Sequence, residues 1–81
     1  MANRIHLQYF AVLREQAGRS EETLETDAAT PAELYEQVRA NHGFSLPRAM
    51  LRVAVNDEFR DWAAPLASGD RVVFIPPVAG G

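Results

Sequence analysis

One segment in the middle of the chain carries a complete set of helix signals, and the segments on both sides of it alternate like strands. Thr30 is a good N-cap residue and Pro31 suits the first helical position. Glu33 can complete a capping box with Thr30, and Gly43 supplies the stop signal, so a helix is predicted over residues 31–42. A single main helix cannot build a helical bundle, but it can cover one face of one sheet.

The other segments place strands at both ends of the chain. Alternation of apolar and polar side chains is the period of a half-buried strand, and a proline pair stops a strand because proline offers no N–H to the ladder. The first and last strands can pair only after the whole chain has been traversed, so the sequence predicts an α+β roll: a mixed sheet with one main helix packed on one face. The predicted order is strand 4–10, short helix 12–17, weak edge strand 21–26, main helix 31–42, strand 51–55, a turn at 56–57 with a short segment around Phe59, a turn at 67–70, and strand 71–75.

Composition excludes several classes of function. The 81 residues leave room for one domain, and the absence of cysteine removes a disulfide framework, a thiolate metal site and a cysteine nucleophile. His6 and His42 lie far apart in the sequence, so no metal site is expected. No serine–histidine–acid set or phosphate-binding glycine loop is visible, so no catalytic constellation is expected on this chain.

Charge and hydropathy limit the partners and the location. The net charge of -3 argues against a nucleic-acid partner, which usually needs a basic excess. No segment approaches the roughly 18 apolar residues of a membrane span, so no membrane partner is expected. The first residues lack the apolar core of a secretory signal, and a cytoplasmic location is the expectation.

The sheet face turned away from the helix carries more apolar side chains than a purely solvated face needs. Phe10, Val73 and Ile75 fall on that face by alternation, and Phe59 lies nearby. With arginines around them, these residues are predicted to form an apolar patch of the kind found in protein interfaces. The alternative interpretation is that Phe10 lies under the following helix and Phe59 belongs to a second small core.

The last residues differ in character from the rest of the chain. Residues 1–76 are predicted to form the folded domain, and residues 77–81 a flexible tail that ends in Gly80-Gly81. Glycine has no Cβ, so such a segment is thin enough to enter a narrow pocket of another protein. At about 3.3 Å per residue, the five residues from Pro77 can reach about 16 Å beyond the sheet. The alternative interpretation is a frayed glycine tail.

These motifs resemble the MoaD-type sulfur-carrier small subunits of molybdopterin synthase, a group within the ubiquitin-like β-grasp proteins. The ending is the most specific part of the resemblance. Ile75 stands where some members have phenylalanine, and Phe59 where some have leucine. The segments that carry the resemblance are Tyr9-Phe10-Ala11, Leu13-Arg14-Glu15, Val53-Ala54-Val55-Asn56, Pro65-Leu66, Ser68-Gly69-Asp70 and Phe74-Ile75-Pro76-Pro77-Val78-Ala79-Gly80-Gly81.

The resemblance implies a function and a set of partners. An adenylyltransferase of the ubiquitin-activating type would use ATP to couple the Gly81 carboxylate to AMP, and a sulfur donor protein would convert this transient acyl-AMP into a thiocarboxylate. No cofactor would be bound permanently. Val78, Ala79, Gly80 and Gly81 would then insert into the large subunit, which transfers the sulfur to cyclic pyranopterin monophosphate for molybdenum cofactor biosynthesis. The two subunits would form a heterotetramer.

Three other functions remain open from the sequence. A sulfur carrier could serve thiamine thiazole synthesis or cysteine synthesis. A ubiquitin-like modifier would use the same activated Gly81 to acylate lysines of other proteins. A plain binding module would have an inert tail.

Overall fold

The computed structural model describes residues 2–77 and shows a five-stranded mixed sheet with two α-helices. The strand order is β2-β1-β5-β3-β4, and only β1 and β5 are parallel neighbours among the strands described. The predicted α+β roll, the pairing of the first and last strands and the edge position of the weak strand are confirmed. The elements are β1 (Asn3–Tyr9), α1 (Ala11–Ala17), β2 (Glu21–Thr26), α2 (Pro31–His42), a 3₁₀-helix (Arg48–Met50), β3 (Arg52–Val55), β4 (Glu58–Arg60) and β5 (Arg71–Ile75).

Helix α2 begins and ends where its sequence signals predict, with one difference at the cap. The Thr30 hydroxyl accepts a hydrogen bond from the Glu33 backbone N–H at 3.3 Å. The Glu33 carboxylate accepts from the Ala29 N–H at 3.3 Å instead of from the Thr30 N–H of a standard capping box. Gly43 ends the helix with φ +71°, in the left-handed region that glycine enters without strain.

The turn between β3 and β4 fixes the position of β4 and the start of β5. Asn56 and Asp57 have φ values of +53° and +70°, which suits a two-residue hairpin turn between antiparallel strands. The Asn56 side-chain amide donates to Asp70 at 3.0 Å, and its oxygen accepts from the Arg71 N–H at 3.0 Å. These two hydrogen bonds therefore connect the hairpin to the beginning of β5.

The core lies on one face of the sheet, against α2. Its aromatic centre is formed by Tyr35, which contacts Phe44 and Phe74, while Trp62 stacks on Phe74 with ring centres 5.9 Å apart. The opposite face of the sheet has no element packed across it within residues 2–77. The core members are Ile5, Leu7, Tyr9, Leu13, Ala28, Leu34, Tyr35, Val38, Phe44, Leu51, Val53, Val55, Leu66, Val72 and Phe74.

Candidate functional site

The open face of the sheet brings the predicted interface residues together at one end. Ala54 pairs with Phe59 on β4 and with Val73 on β5, so these three residues form a row across neighbouring strands. Ile75 pairs with Arg52 one step nearer the end of the sheet. Phe10 follows directly after β1, the other neighbour of β5, with an extended backbone. Apolar side chains are therefore concentrated where the chain leaves β5.

The predicted interface residues differ strongly in the surface they offer. Phe59 is 65% exposed and Phe10 is 44% exposed, so neither is buried within the described part of the chain. Ile75 is half-buried. Val73 is only 8% exposed, because β5 has strands on both sides, and it adds little apolar surface of its own. The two phenylalanines supply most of the apolar area of this set.

Sequence reasoning missed Met50, which is 52% exposed and lies beside the same patch. Met50 closes the 3₁₀-helix, a three-residue element with no hydrophobic periodicity that could signal it. A first depression of about 510 Å³ passes between Met50 and Phe59 and runs to the end of β5. It is lined by Ala49, Met50, Leu51, Arg52, Phe59, Ile75, Pro76 and Pro77.

A second depression of about 420 Å³ continues from the first around β4. The two share Leu51, Arg52 and Phe59, and we call them together the Phe59 groove. The Arg52 guanidinium lies over the Phe59 ring at 5.3 Å from its centre, within the range of a cation–π contact. The second depression is lined by Leu51, Arg52, Val53, Phe59, Arg60 and Trp62.

The predicted reactive segment starts next to this groove. Pro76 and Pro77 line the first depression, and Pro77 is the last residue that the structure describes. Val78, Ala79, Gly80 and Gly81 lie outside the described residues, and the predicted domain boundary after residue 76 stays a prediction. The groove therefore lies where the segment begins that the sequence predicts to be reactive.

A cluster of titratable groups lies on the core side of the sheet, away from the groove. One carboxylate oxygen of Glu22 accepts a hydrogen bond from the Tyr9 hydroxyl at 2.5 Å and another from His42 Nε2 at 2.7 Å. Because an ionised carboxylate only accepts, Nε2 of His42 must carry a proton. Arg19 lies 3.7 Å from the other oxygen of Glu22. The cluster ties β1, β2 and α2 together, which is a structural role.

The cluster shifts the pKa values of two of its members in opposite directions. Burial, together with the hydrogen bond to Glu22, raises the pKa of Tyr9 far above its ordinary value, so Tyr9 stays a hydrogen-bond donor. Burial alone would raise the pKa of Glu22, but the hydrogen bonds from Tyr9 and His42 and the charges of His42 and Arg19 outweigh it and hold that pKa below the ordinary value.

We expect Glu22→Gln to make the stability less dependent on pH. A carboxyl whose pKa is lower in the folded state stabilises the fold above its unfolded pKa, and this contribution is lost as the pH falls through the folded value. The substitution weakens two charge-assisted hydrogen bonds and should lower the free energy of unfolding at neutral pH by about 1–3 kcal/mol. Urea unfolding of the wild type and the variant at several pH values between neutral and strongly acidic measures this.

Glu21→Gln is the matched control for this prediction. Glu21 is the neighbouring glutamate on the same strand, is exposed, and makes no side-chain hydrogen bond or ion pair within residues 2–77. Its substitution should change the free energy of unfolding by less than about 0.5 kcal/mol at any pH. Equal effects of the two substitutions would contradict the structural role of the Glu22 cluster.

A polar depression of about 540 Å³ lies at the other end of β5. It is lined by the basic side chains of His6 and Arg71 and by the carboxylates of Glu21 and Asp57. Within residues 2–77, no group of three or more histidine, aspartate or glutamate side chains is placed to hold a metal ion. Neither helix of this part of the chain has the length and apolar character needed to cross a membrane.

Comparison with known protein families gives one match over most of the chain. The ThiS family model matches residues 7–81. The molybdopterin synthase sulfur carrier subunit of Escherichia coli K12 is 32% identical in an 80-residue alignment that covers 95% of this chain and 99% of that protein. The family match therefore runs from Leu7, within β1, to Gly81.

Solved structures give the same fold. The HVO 2177 protein of Haloferax volcanii has a TM-score of 0.83 at 26% identity, covering 99% of this chain and 88% of that one. A complex of subunits 1 and 2 of the molybdopterin-converting factor of Helicobacter pylori contains a chain with a TM-score of 0.65 at 25% identity, covering 96% and 99%. The ubiquitin of Caldiarchaeum subterraneum, 22% identical with a TM-score of 0.66 and complete coverage of both chains, shows the fold alone. The predicted ubiquitin-like β-grasp fold is confirmed.

Proposed function

The chain belongs to the ThiS family, and we propose that it is the sulfur carrier subunit of a molybdopterin synthase. The family match and the curated relative confirm the MoaD-type resemblance drawn from the sequence motifs. The observation that carries the proposal is geometric: the exposed aromatic groove lies where the chain leaves β5 toward Gly80-Gly81. The folded domain therefore offers a surface for a partner protein beside the segment that would carry the reactive group.

The reactive group in this proposal is the Gly81 carboxylate. A carboxylate is a poor electrophile, because its leaving group would be oxide. An oxygen of Gly81 attacks the α-phosphorus of ATP in the site of an adenylyltransferase, and pyrophosphate leaves. A persulfide on a donor protein then attacks the acyl carbon, so that AMP leaves and an acyl disulfide forms. A thiol attacks the donor's sulfur atom in this disulfide, which breaks the S–S bond, releases the Gly81 thiocarboxylate and leaves the donor in a disulfide with that thiol. Because the chain has no cysteine, the sulfur is carried on the main chain.

The second half of the proposal concerns the partner that receives the sulfur. The large subunit of the synthase docks on the open face of the sheet and takes Val78, Ala79, Gly80 and Gly81 into its active site, where sulfur passes to cyclic pyranopterin monophosphate. The exposed Phe10 and Phe59 side chains and the Helicobacter pylori complex of two subunits support this docking. The carrier binds the adenylyltransferase and the large subunit in turn. With the large subunit it forms a heterotetramer. ATP is consumed by the activating enzyme, and the carrier keeps no cofactor.

Intact-mass measurement of the protein purified from its native cells tests this function. We expect a fraction of the molecules to be heavier by the exchange of one oxygen for one sulfur, with fragmentation placing the change at Gly81. The thiocarboxylated protein mixed with the large subunit and the cyclic pterin should then lose this added mass as product forms. Covalent adducts to lysines of other proteins would support the modifier instead, and an unchanged terminus would support the inert module.

A further inference from the structure

Two arginines beside the Phe59 groove have no carboxylate partner within residues 2–77. Arg48 and Arg52 are exposed and make no ion pair there, whereas Arg60 in the same groove lies 3.1 Å from Glu58. The chain has 11 acidic residues against 8 arginines, so available guanidinium groups are not a simple consequence of composition. This end of the molecule therefore offers positive charge that the described part of the fold does not neutralise.

Each of the two guanidinium groups rests on an aromatic ring. Arg52 lies 5.3 Å from the centre of Phe59, and Arg48 lies 5.7 Å from the centre of Trp62. Stacking on a ring restricts the conformations of the long arginine side chain before any partner binds. The N–H groups at the edge of the guanidinium fork can still donate hydrogen bonds. A fork held in this way is suited to bidentate hydrogen bonds with a carboxylate.

The Phe59 groove next to these arginines is largely apolar: Arg52 lines its first depression, and Arg48 lies over Trp62, which lines its second. Met50, Phe59, Ile75 and Pro76 line the groove, and two of these side chains are more than half exposed. A partner that fills this space must therefore bring apolar surface for the centre and negative charge for the two sides. This combination is the usual one of an interface, with an apolar centre and a polar rim.

We propose that the Phe59 groove selects an acidic segment of the protein that receives the tail. An apolar side chain of that segment enters between Met50 and Phe59, and carboxylates on either side of it bind Arg48 and Arg52. The inference rests on the proposed function, since it names how the large subunit of the synthase recognises the carrier.

The position of the groove relative to the tail supports this occupant. Pro76 and Pro77 line the groove, and the four residues that follow can span at most about 14 Å. A protein that holds the Gly81 end in its active site therefore lies close to this end of the sheet. The groove is the part of the carrier that such a protein meets first.

The surrounding charges favour separate carboxylates over a polyanion. Glu58 and Asp61 lie within two residues of Phe59 in the chain, and the net charge of the protein is -3. These groups would repel the continuous charge of a nucleic acid or of an anionic lipid surface. A protein segment can place one carboxylate on each arginine and avoid the acidic side chains.

Binding of charge-reversed variants to the purified large subunit from the same organism tests the inference. We expect Arg48→Glu and Arg52→Glu each to weaken binding at least about tenfold, mainly through slower association, and to reduce the dependence of binding on salt. Arg52→Lys keeps the charge without the fork and should fall between the wild type and Arg52→Glu. Thermal unfolding of each variant confirms that the fold is intact.

Arg14→Glu is the matched control, because Arg14 is also exposed and makes no ion pair within residues 2–77 but lies on α1 and, unlike Arg48 and Arg52, is not stacked on a ring that lines the groove. It should bind within about twofold of the wild type. If Arg52→Glu loses no more than Arg14→Glu while Phe59→Ala still weakens binding, the inference is overturned and the proposed function stands. If the wild type does not bind the large subunit, both fail. Binding of the wild type to phosphatidylglycerol vesicles that Arg48→Glu abolishes would assign the arginines to a lipid surface and overturn the inference.

Discussion

Deletion of Gly81 is expected to abolish thiocarboxylate formation and to leave the free energy of unfolding unchanged. Without Gly81 the terminal carboxylate belongs to Gly80 and falls short by one residue, about 3.3–3.6 Å of chain. A misplacement of the reacting atom by 1 Å can cost about 10²-fold in rate, so a shift of this size should remove all measurable adenylation. The core of the described residues extends from Ile5 to Phe74, so its packing does not depend on the deleted residue.

The measurement combines two readouts on one protein preparation. ATP–pyrophosphate exchange with the purified adenylyltransferase reports adenylation, and intact mass after addition of the sulfur donor reports the thiocarboxylate. One residue added after Gly81 should have the same effect as the deletion. Deletion of Ala2, an exposed residue before β1, removes one residue at the opposite end and should change neither readout. A deletion variant that still accepts sulfur at the rate of the wild type would show that Gly81 is not the reactive residue.

The elements of this fold could be predicted where a local rule decides them. Helix α2 carries its start and stop signals within its own sequence, and its bounds agree with the prediction to the residue. The bounds of strand β5 also agree with the prediction, because a turn at 67–70 precedes it and a proline pair ends it. The 3₁₀-helix over Arg48–Met50 has no such signal, since three residues are too few to show a period.

The sequence predicts which face of the sheet carries the candidate site, but it does not predict how exposed each side chain of the site is. Alternation places Val73 on the open face and the sequence predicts that Phe59 lies nearby, and the register shows that both neighbour Ala54. Their exposed fractions are 8% and 65%, because Val73 lies on a central strand and Phe59 on an edge strand. Strand order depends on long-range pairing, so the sequence could not tell which apolar residue would stay accessible.

Contacts between distant segments were also beyond the sequence. Glu22 meets Tyr9 and His42 across 13 and 20 residues, and no local pattern links these positions. The same holds for Arg52 over Phe59, which depends on the hairpin that joins β3 and β4. Such contacts arise only once the strands are in register, so no local sequence pattern predicts them.

Phe59→Ala should weaken binding to the large subunit by about 1–4 kcal/mol, which is roughly 5-fold to 1000-fold in the dissociation constant. Fully burying a phenylalanine side chain contributes about 1.5–3 kcal/mol, and 65% of Phe59 is still exposed in the described part of the chain, so most of this energy is left for a partner. Phe10→Ala, at 44% exposure, should have a smaller effect in the same direction. Isothermal titration of each variant with the large subunit measures both.

Phe44→Ala separates loss of the interface from loss of the fold. Phe44 is 3% exposed and stacks near Tyr35 in the core, so its removal should cost about 3–5 kcal/mol of unfolding free energy. Phe59→Ala should instead lower the melting temperature little, because the side chain it removes contacts mainly solvent and Arg52. Unchanged affinity of Phe59→Ala together with a clear loss of thermal stability would assign Phe59 to the core and remove the central contact of the proposed docking surface.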